Sequence, residues 1–155
     1  MSKVLAYVDD SPDDLFLFRA ACKLAEVRLN LVMIEGGAEA IRYLDGTDRY
    51  ADRTRFPEPD IVLLDLKMPD VDGFAVLRHL RSGPTRAECP VGLLTSSNWP
   101  GDIEQAREMG ATWYFLKPPD MARLIEFVTV LDECLHDATA CPKVETRTSC
   151  SWEFV

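Results

Sequence analysis

The chain has 155 residues, is 47% apolar and 28% charged, and carries a formal net charge of −9, which suits one soluble globular domain with a sizeable core. The acidic balance argues against DNA or RNA binding, because affinity for phosphate backbones comes from Lys and Arg. No long apolar span suits a membrane, Met1-Ser-Lys-Val-Leu runs straight into a strand without signal-peptide organisation, and the five cysteines form neither a metal-type pair nor an even disulfide framework. These features predict a cytoplasmic protein, with Cys22, Cys89 and Cys134 as small core or interface residues and Cys141 and Cys150 left open.

In chain order, Val4-Leu-Ala-Tyr-Val8 predicts a short strand that ends in Asp9-Asp10. Ser11 before Pro12 forms an N-cap with proline at the first helical position, and Asp13 and Asp14 suit the positive end of that helix. Leu15, Phe18, Cys22 and Ala25 make its apolar stripe. Leu31-Val-Met-Ile34 predicts the second strand, and Ala38, Ile41 and Leu44 a short helix that stops at Gly46. Thr47 to Pro59 is charged, aromatic and proline-punctuated, and is expected as a solvated surface insertion.

Ile61-Val-Leu-Leu64 has no polar break and predicts a strand buried on both faces. Asp65 stands where it ends, Pro69 removes a backbone donor, and Gly73 supplies freedom to turn into the amphipathic run Phe74 to Leu80. That helix is expected to stop near Gly83-Pro84. Val91-Gly-Leu-Leu94 predicts the fourth strand, delivering Thr95, Ser96 and Ser97 to its carboxyl end. After a helix carrying Ile103, Ala106 and Met109, Trp113-Tyr-Phe-Leu116 predicts a fifth strand that delivers Lys117. Met121, Leu124, Ile125, Val128, Leu131 and Leu135 mark the last helix. The domain is expected over 1–137, with 138–155 as a C-terminal tail whose Trp152 and Phe154 dock on the domain or on a second subunit.

Alternating strand and helix signals imply a five-stranded, doubly wound parallel sheet of the flavodoxin-like α/β class, with all strand ends along one edge. Asp9, Asp10, Asp65, Thr95 and Lys117 then converge there. Three carboxylates at close range need raised pKa values or a cation, and oxygen donors with room for water suit Mg²⁺. A lysine and a threonine hydroxyl in the same cleft provide what a transferred phosphoryl group needs.

The motifs VDDS (8–11), LLDLKMPDVDG (63–73), LLTSS (93–97) and YFLKPP (114–119), in this order and each at a strand end, resemble the receiver domain of two-component response regulators. The long segment before the Asp65 strand is similar to that of stand-alone receivers serving bacterial phytochrome histidine kinases. The resemblance implies a phosphoprotein in a two-component system or phosphorelay, a signalling module and not an enzyme in the ordinary sense, catalysing only its own phosphorylation and dephosphorylation. Asp65 would accept the phosphoryl group from a histidine kinase. Asp10, Asp65 and the Lys67 backbone carbonyl would hold Mg²⁺, and Asp9 would act through bound water. Lys117 and Thr95 would contact the phosphoryl group, and Tyr114 would be the switching aromatic. Lys67 and Ser97 would occupy the positions that tune phosphoryl lifetime, with neither able to orient water strongly. Partners would be a histidine kinase or a histidine phosphotransfer protein, and a homodimer would use the last two helices, the strand between them and the tail.

Taken singly, each residue has a plainer use. Asp65 could be a turn residue, Thr95 a cap, Lys117 a solvated charge and Tyr114 a half-buried strand aromatic. His79 and His136 are expected as surface structure, and Trp99 as a docking aromatic. A Mg²⁺-dependent phosphatase with an aspartyl nucleophile remains an alternative, although Lys67 stands where its acid-base aspartate would be. So does a flavodoxin-like ligand-binding module, although no glycine-rich phosphate cradle is present.

Overall fold

The computed structural model of the chain describes residues 2–83 and 87–137 and the backbone of 152–154. Strands β1 (Val4–Asp9), β2 (Asn30–Glu35), β3 (Ile61–Leu64), β4 (Val91–Thr95) and β5 (Trp113–Leu116) pair in parallel in the order β2-β1-β3-β4-β5. Helices α1 (Pro12–Leu24), α2 (Gly37–Asp45), α3 (Gly73–Ser82), α4 (Pro100–Glu108) and α5 (Met121–His136) link and follow them. The doubly wound α/β architecture is the one the alternation predicted. Among the described residues, no helix is long and apolar enough to cross a membrane.

Strand periodicity divides the core. Ala6, Val8, Val62, Leu64 and Leu93 face α2, α3 and α4, while Leu5, Tyr7, Ile61, Leu63 and Phe115 face α1 and α5. The central strands are buried on both faces, which is why they read as unbroken apolar runs. Because β1 lies between β2 and β3, the connections diverge at the β1/β3 boundary. A crevice opens there at the carboxyl ends of both strands.

Local signals hold at most boundaries. Ser11 caps α1, its hydroxyl accepting from the Asp14 N–H at 3.2 Å, and Gly46 closes α2 in the left-handed conformation at φ 66°. Gly83 ends α3 with φ −80°, so it is not a left-handed cap, and Pro84 lies outside the described residues.

Gly73 has a different role from the one expected. Its φ is not positive; the left-handed residue of the loop is Asp70, at 65°. A Cβ on Gly73 would stand 2.4 Å from the Asp65 carbonyl oxygen, so the glycine is required by close approach of α3 to the end of β3. Asp72 caps the helix by accepting from the Ala75 N–H at 2.9 Å.

The segment expected as a solvated insertion is instead anchored. Asp48–Ala51 forms a 3-10 turn that places Tyr50 at 0% exposure, edge-on to Tyr43 and Phe56. The Tyr43 hydroxyl donates to the Pro57 carbonyl at 2.6 Å, and the Arg53 guanidinium donates to the Tyr43, Leu44 and Phe56 carbonyls. Aromatic residues within the charged run decide the outcome, because burying a ring outweighs the solvation of its polar neighbours.

The expectation of surface histidines needs a similar adjustment. His79 Nε2 lies 2.7 Å from Asp45 on α2, and His136 Nδ1 lies 3.2 Å from Asp132, so both lie in ion-pair geometry with a carboxylate.

A further strand, β6 (Trp152–Phe154), pairs antiparallel with β5 in the register Trp113↔Phe154. The rest of the tail, Cys141 and Cys150, and the side chains of Trp152 and Phe154 lie outside the described residues.

The anchored insertion predicts that Tyr50→Ala lowers stability by about 3 kcal/mol, in the range for emptying a large buried site. A urea midpoint unchanged by the substitution would return the segment to the solvent.

Candidate functional site

The crevice between β1 and β3 collects carboxylates. Asp9 ends β1 and Asp65 follows β3, and the Asp65 N–H donates to the Val8 carbonyl at 2.8 Å, which fixes one strand end against the other. Asp9, Asp10 and Asp65 each offer an oxygen, all within 4.8 Å of one another. Asp9 is at 0% exposure and Asp65 at 6%, so their charges are poorly screened by water.

Lys117 reaches this cluster from the end of β5. Its Nζ lies 2.8 Å from Asp9 Oδ2, 2.8 Å from Asp14 Oδ2 and 3.5 Å from Asp65 Oδ2. The Lys117 N–H also donates to the Thr95 carbonyl at 2.8 Å, joining the ends of β4 and β5.

Electrostatics follow from this geometry. Burial, and then the Asp9 charge, push the Asp65 carboxyl up to about 6, with Lys117 pulling the other way. For Lys117, burial favours the neutral amine, but the hydrogen bonds to Asp14 and Asp9 prevail and raise its pKa, so it is a cation throughout the physiological range. The site therefore carries more negative charge than one lysine offsets. Carboxylate oxygens at this spacing fit a hard divalent cation, which would supply the missing positive charge.

Thr95 is fully buried, and its hydroxyl accepts from the Ser97 N–H at 3.2 Å. Tyr114 is also buried, its hydroxyl donating to the Ser97 carbonyl at 2.7 Å. Thr95 and Tyr114 thus meet at the backbone of Ser97. The Lys67 side chain turns away from the carboxylates, its Nζ lying 3.3 Å from Asp102.

Three participants escaped the sequence reading. The Tyr7 hydroxyl donates to Asp9 Oδ2 at 2.7 Å, and burial followed by the Asp9 charge raises its pKa, so it remains a donor. A signal existed: residues 7 and 9 share a face of one strand. Asp14 was assigned to the helix dipole, but its carboxylate also pairs with Lys117. Asp102, in the first turn of α4, is 4% exposed, accepts from the Ser97 hydroxyl and pairs with Lys67. Nothing local announces it, since an acidic residue in a first helical turn is ordinary.

Comparison with known proteins gives the same picture. The family model for the response regulator receiver domain matches residues 5–129. Response regulator Rcp1 of Synechocystis sp. is 26% identical over 140 residues, covering 90% of this chain and 93% of that protein. The crystal structure of its Mn²⁺-bound form superimposes with a TM-score of 0.75 at 26% identity, covering 91% of this chain and 99% of that one. The response regulator RPA3017, described in red light signaling of R. palustris, gives 0.80 at 28% identity, covering 94% and 99%. The phosphorylated cyanobacterial phytochrome response regulator RcpA gives 0.78 at 28% identity, covering 89% and 96%. With its carboxylate cluster at the β1/β3 crevice and a family match over most of its length, the chain belongs to the response regulator receiver domains of two-component signalling.

Proposed function

We propose that the protein is a phosphorylation switch in which Asp65 takes a phosphoryl group from a histidine kinase. The observation that carries this is the gathering of Asp9, Asp10 and Asp65 within 4.8 Å, with the Lys117 ammonium 3.5 Å from Asp65. An Asp65 carboxylate oxygen attacks the phosphorus of a phosphohistidine, forming a P–O bond as the P–N bond breaks. The electron pair leaves with the imidazole nitrogen. Asp10, Asp65 and the Lys67 carbonyl would hold Mg²⁺, which would supply neutralising charge to the transferred group. Asp9 would act on the metal through bound water, since its oxygens already accept from Tyr7, Ser11 and Lys117. The protein catalyses its own phosphorylation and dephosphorylation and turns over no other substrate.

Lys117 then pairs with the phosphoryl group, and the Thr95 hydroxyl donates to it. Drawing Thr95 toward Asp65 disturbs its bond from the Ser97 N–H, and Ser97 also holds Tyr114 and Asp102. The change thereby reaches α4. Inverting a two-state equilibrium from about 1:99 to 99:1 takes roughly 5.5 kcal/mol. A few charge-assisted hydrogen bonds at about 1.5–3 kcal/mol each provide it.

The partner is a bacterial phytochrome histidine kinase or a histidine phosphotransfer protein, and the setting cytoplasmic. RcpA and RPA3017, described with phytochrome and red light, support the first. A homodimer uses α4, β5, α5 and the tail; Trp99 beside α4, at 64% exposure, supports that surface.

A cognate histidine kinase is expected to label the wild type, to leave Asp65→Asn unlabelled, and to label Lys117→Ala with loss of output. Stable label on Asp65→Asn overturns the assignment of the nucleophile, and transfer no faster from phytochrome kinases than from unrelated ones removes that partner.

Asp65 also sets a pH dependence in metal-free protein. Its folded pKa of about 6 lies above the ordinary 3.8, so the folded state binds its proton more tightly than the unfolded chain does. The stability this confers is complete below 3.8 and is lost as pH rises through about 6. Asp65→Asn should therefore overtake the wild type in unfolding free energy, read from denaturant melts, across that window, by about 1–3 kcal/mol at neutral pH. Parallel pH profiles for the two proteins would contradict it.

Light scattering is expected to give a dimer mass at physiological concentration. A monomer mass unchanged by phosphorylation would remove the dimer.

A further inference from the structure

Asp14 has no part in the chemistry proposed above, yet its Oδ2 lies as close to Lys117 as that of Asp9, 2.8 Å in each case, against 3.5 Å for Asp65. It is not among the three carboxylates that converge on the cation position. Its side chain is 39% exposed, where those of Asp9 and Asp65 are 0% and 8%. With Lys117 it lines a cavity of about 130 Å³, walled by Leu17, Leu94 and Met121, between α1 and the start of α5. The α1 dipole does not account for the reach across to β5, since Asp13 stands exposed in the same first turn.

We infer that Asp14 is a positioning residue that holds the Lys117 ammonium on the α1 side in the unphosphorylated protein, so that phosphorylation proceeds only as Asp14 gives it up. It holds only if Asp65 is the phosphoacceptor. The ammonium makes its two short bonds to Asp9 and Asp14 and its longest to Asp65, so moving it onto a phosphoryl group there loosens a short one. Asp9 cannot release it cheaply, because a buried carboxylate would lose its compensating cation. Asp14 can, because water replaces the ammonium at a partly exposed oxygen. The Asp14 bond therefore belongs to the resting form and opposes the phosphorylated one. Removing its charge shifts the balance toward the latter.

The test is titration of the full chain with beryllofluoride, a phosphoryl mimic, in saturating Mg²⁺, followed by tryptophan fluorescence. Asp14→Asn is expected to tighten apparent affinity by about two- to fivefold, the range of a partly exposed ion pair. Asp13→Asn, which removes a carboxylate from the same turn without touching Lys117, is expected to leave it unchanged. In a Lys117→Met background the Asp14→Asn gain is expected to vanish, which a purely structural role would not produce. Unchanged or weakened binding in Asp14→Asn, an equal gain in Asp13→Asn, or a gain that survives Lys117→Met overturns the inference while wild-type binding leaves Asp65 as phosphoacceptor. A wild-type chain with no response to beryllofluoride overturns both.

Discussion

Uncompensated negative charge at the carboxyl end of β1 and β3 is the constraint on which the rest of the structure turns. Asp9 and Asp65 are buried beside each other because the sheet order puts β1 against β3, and Asp10 follows directly in the loop. Neighbouring strands lie roughly 4.8 Å apart, so side chains leaving their ends on one edge inevitably meet. Lys117 answers part of the charge from β5, and Tyr7 and the Ser11 N–H satisfy what Asp9 still presents. The remainder is balanced by holding Asp65 toward its protonated form or by a divalent cation. The same imbalance that strains the metal-free fold is what gives the site its affinity for a cation.

Two hydrogen-bonded routes leave this centre. One runs from Thr95 through the backbone of Ser97 to Tyr114 and, by the Ser97 hydroxyl, to Asp102 in α4, which also anchors Lys67. The other runs from Lys117 through Asp14 into α1, beside a cavity that opens toward α5. Both connect the carboxylates to surface helices through short polar contacts. Such contacts exchange partners without repacking the apolar layers on either face of the sheet.

Close approach accounts for several features that composition cannot. Gly73 is needed because α3 begins against the Asp65 carbonyl, which fixes the loop after β3 from behind. The segment after α2 is tied down by Tyr50, Phe56 and Arg53, so the connection leading into β3 is a packed part of the domain. On the far edge, β6 pairs with β5 and covers backbone groups that an edge strand would otherwise leave open.

The order of elements, the doubly wound class and the identity of the strand-end residues were legible in the sequence, because they rest on short-range periodicity. Apolar runs bounded by Asp, Thr and Lys announce buried strands and what each one delivers. Ser11-Pro12 and Gly46 were legible for the same reason, as caps act within a few residues. Only the tertiary structure decided which partner each charge takes. Asp14 and Asp13 are equivalent along the chain, but one faces Lys117 from β5, more than a hundred residues away, and the other faces solvent. Asp102 gained its role in the same way, from Lys67 more than thirty residues upstream, a neighbour that local pattern does not encode. Ion pairing and burial depend on distances in space, and those are set only once the sheet has fixed the order of its strands.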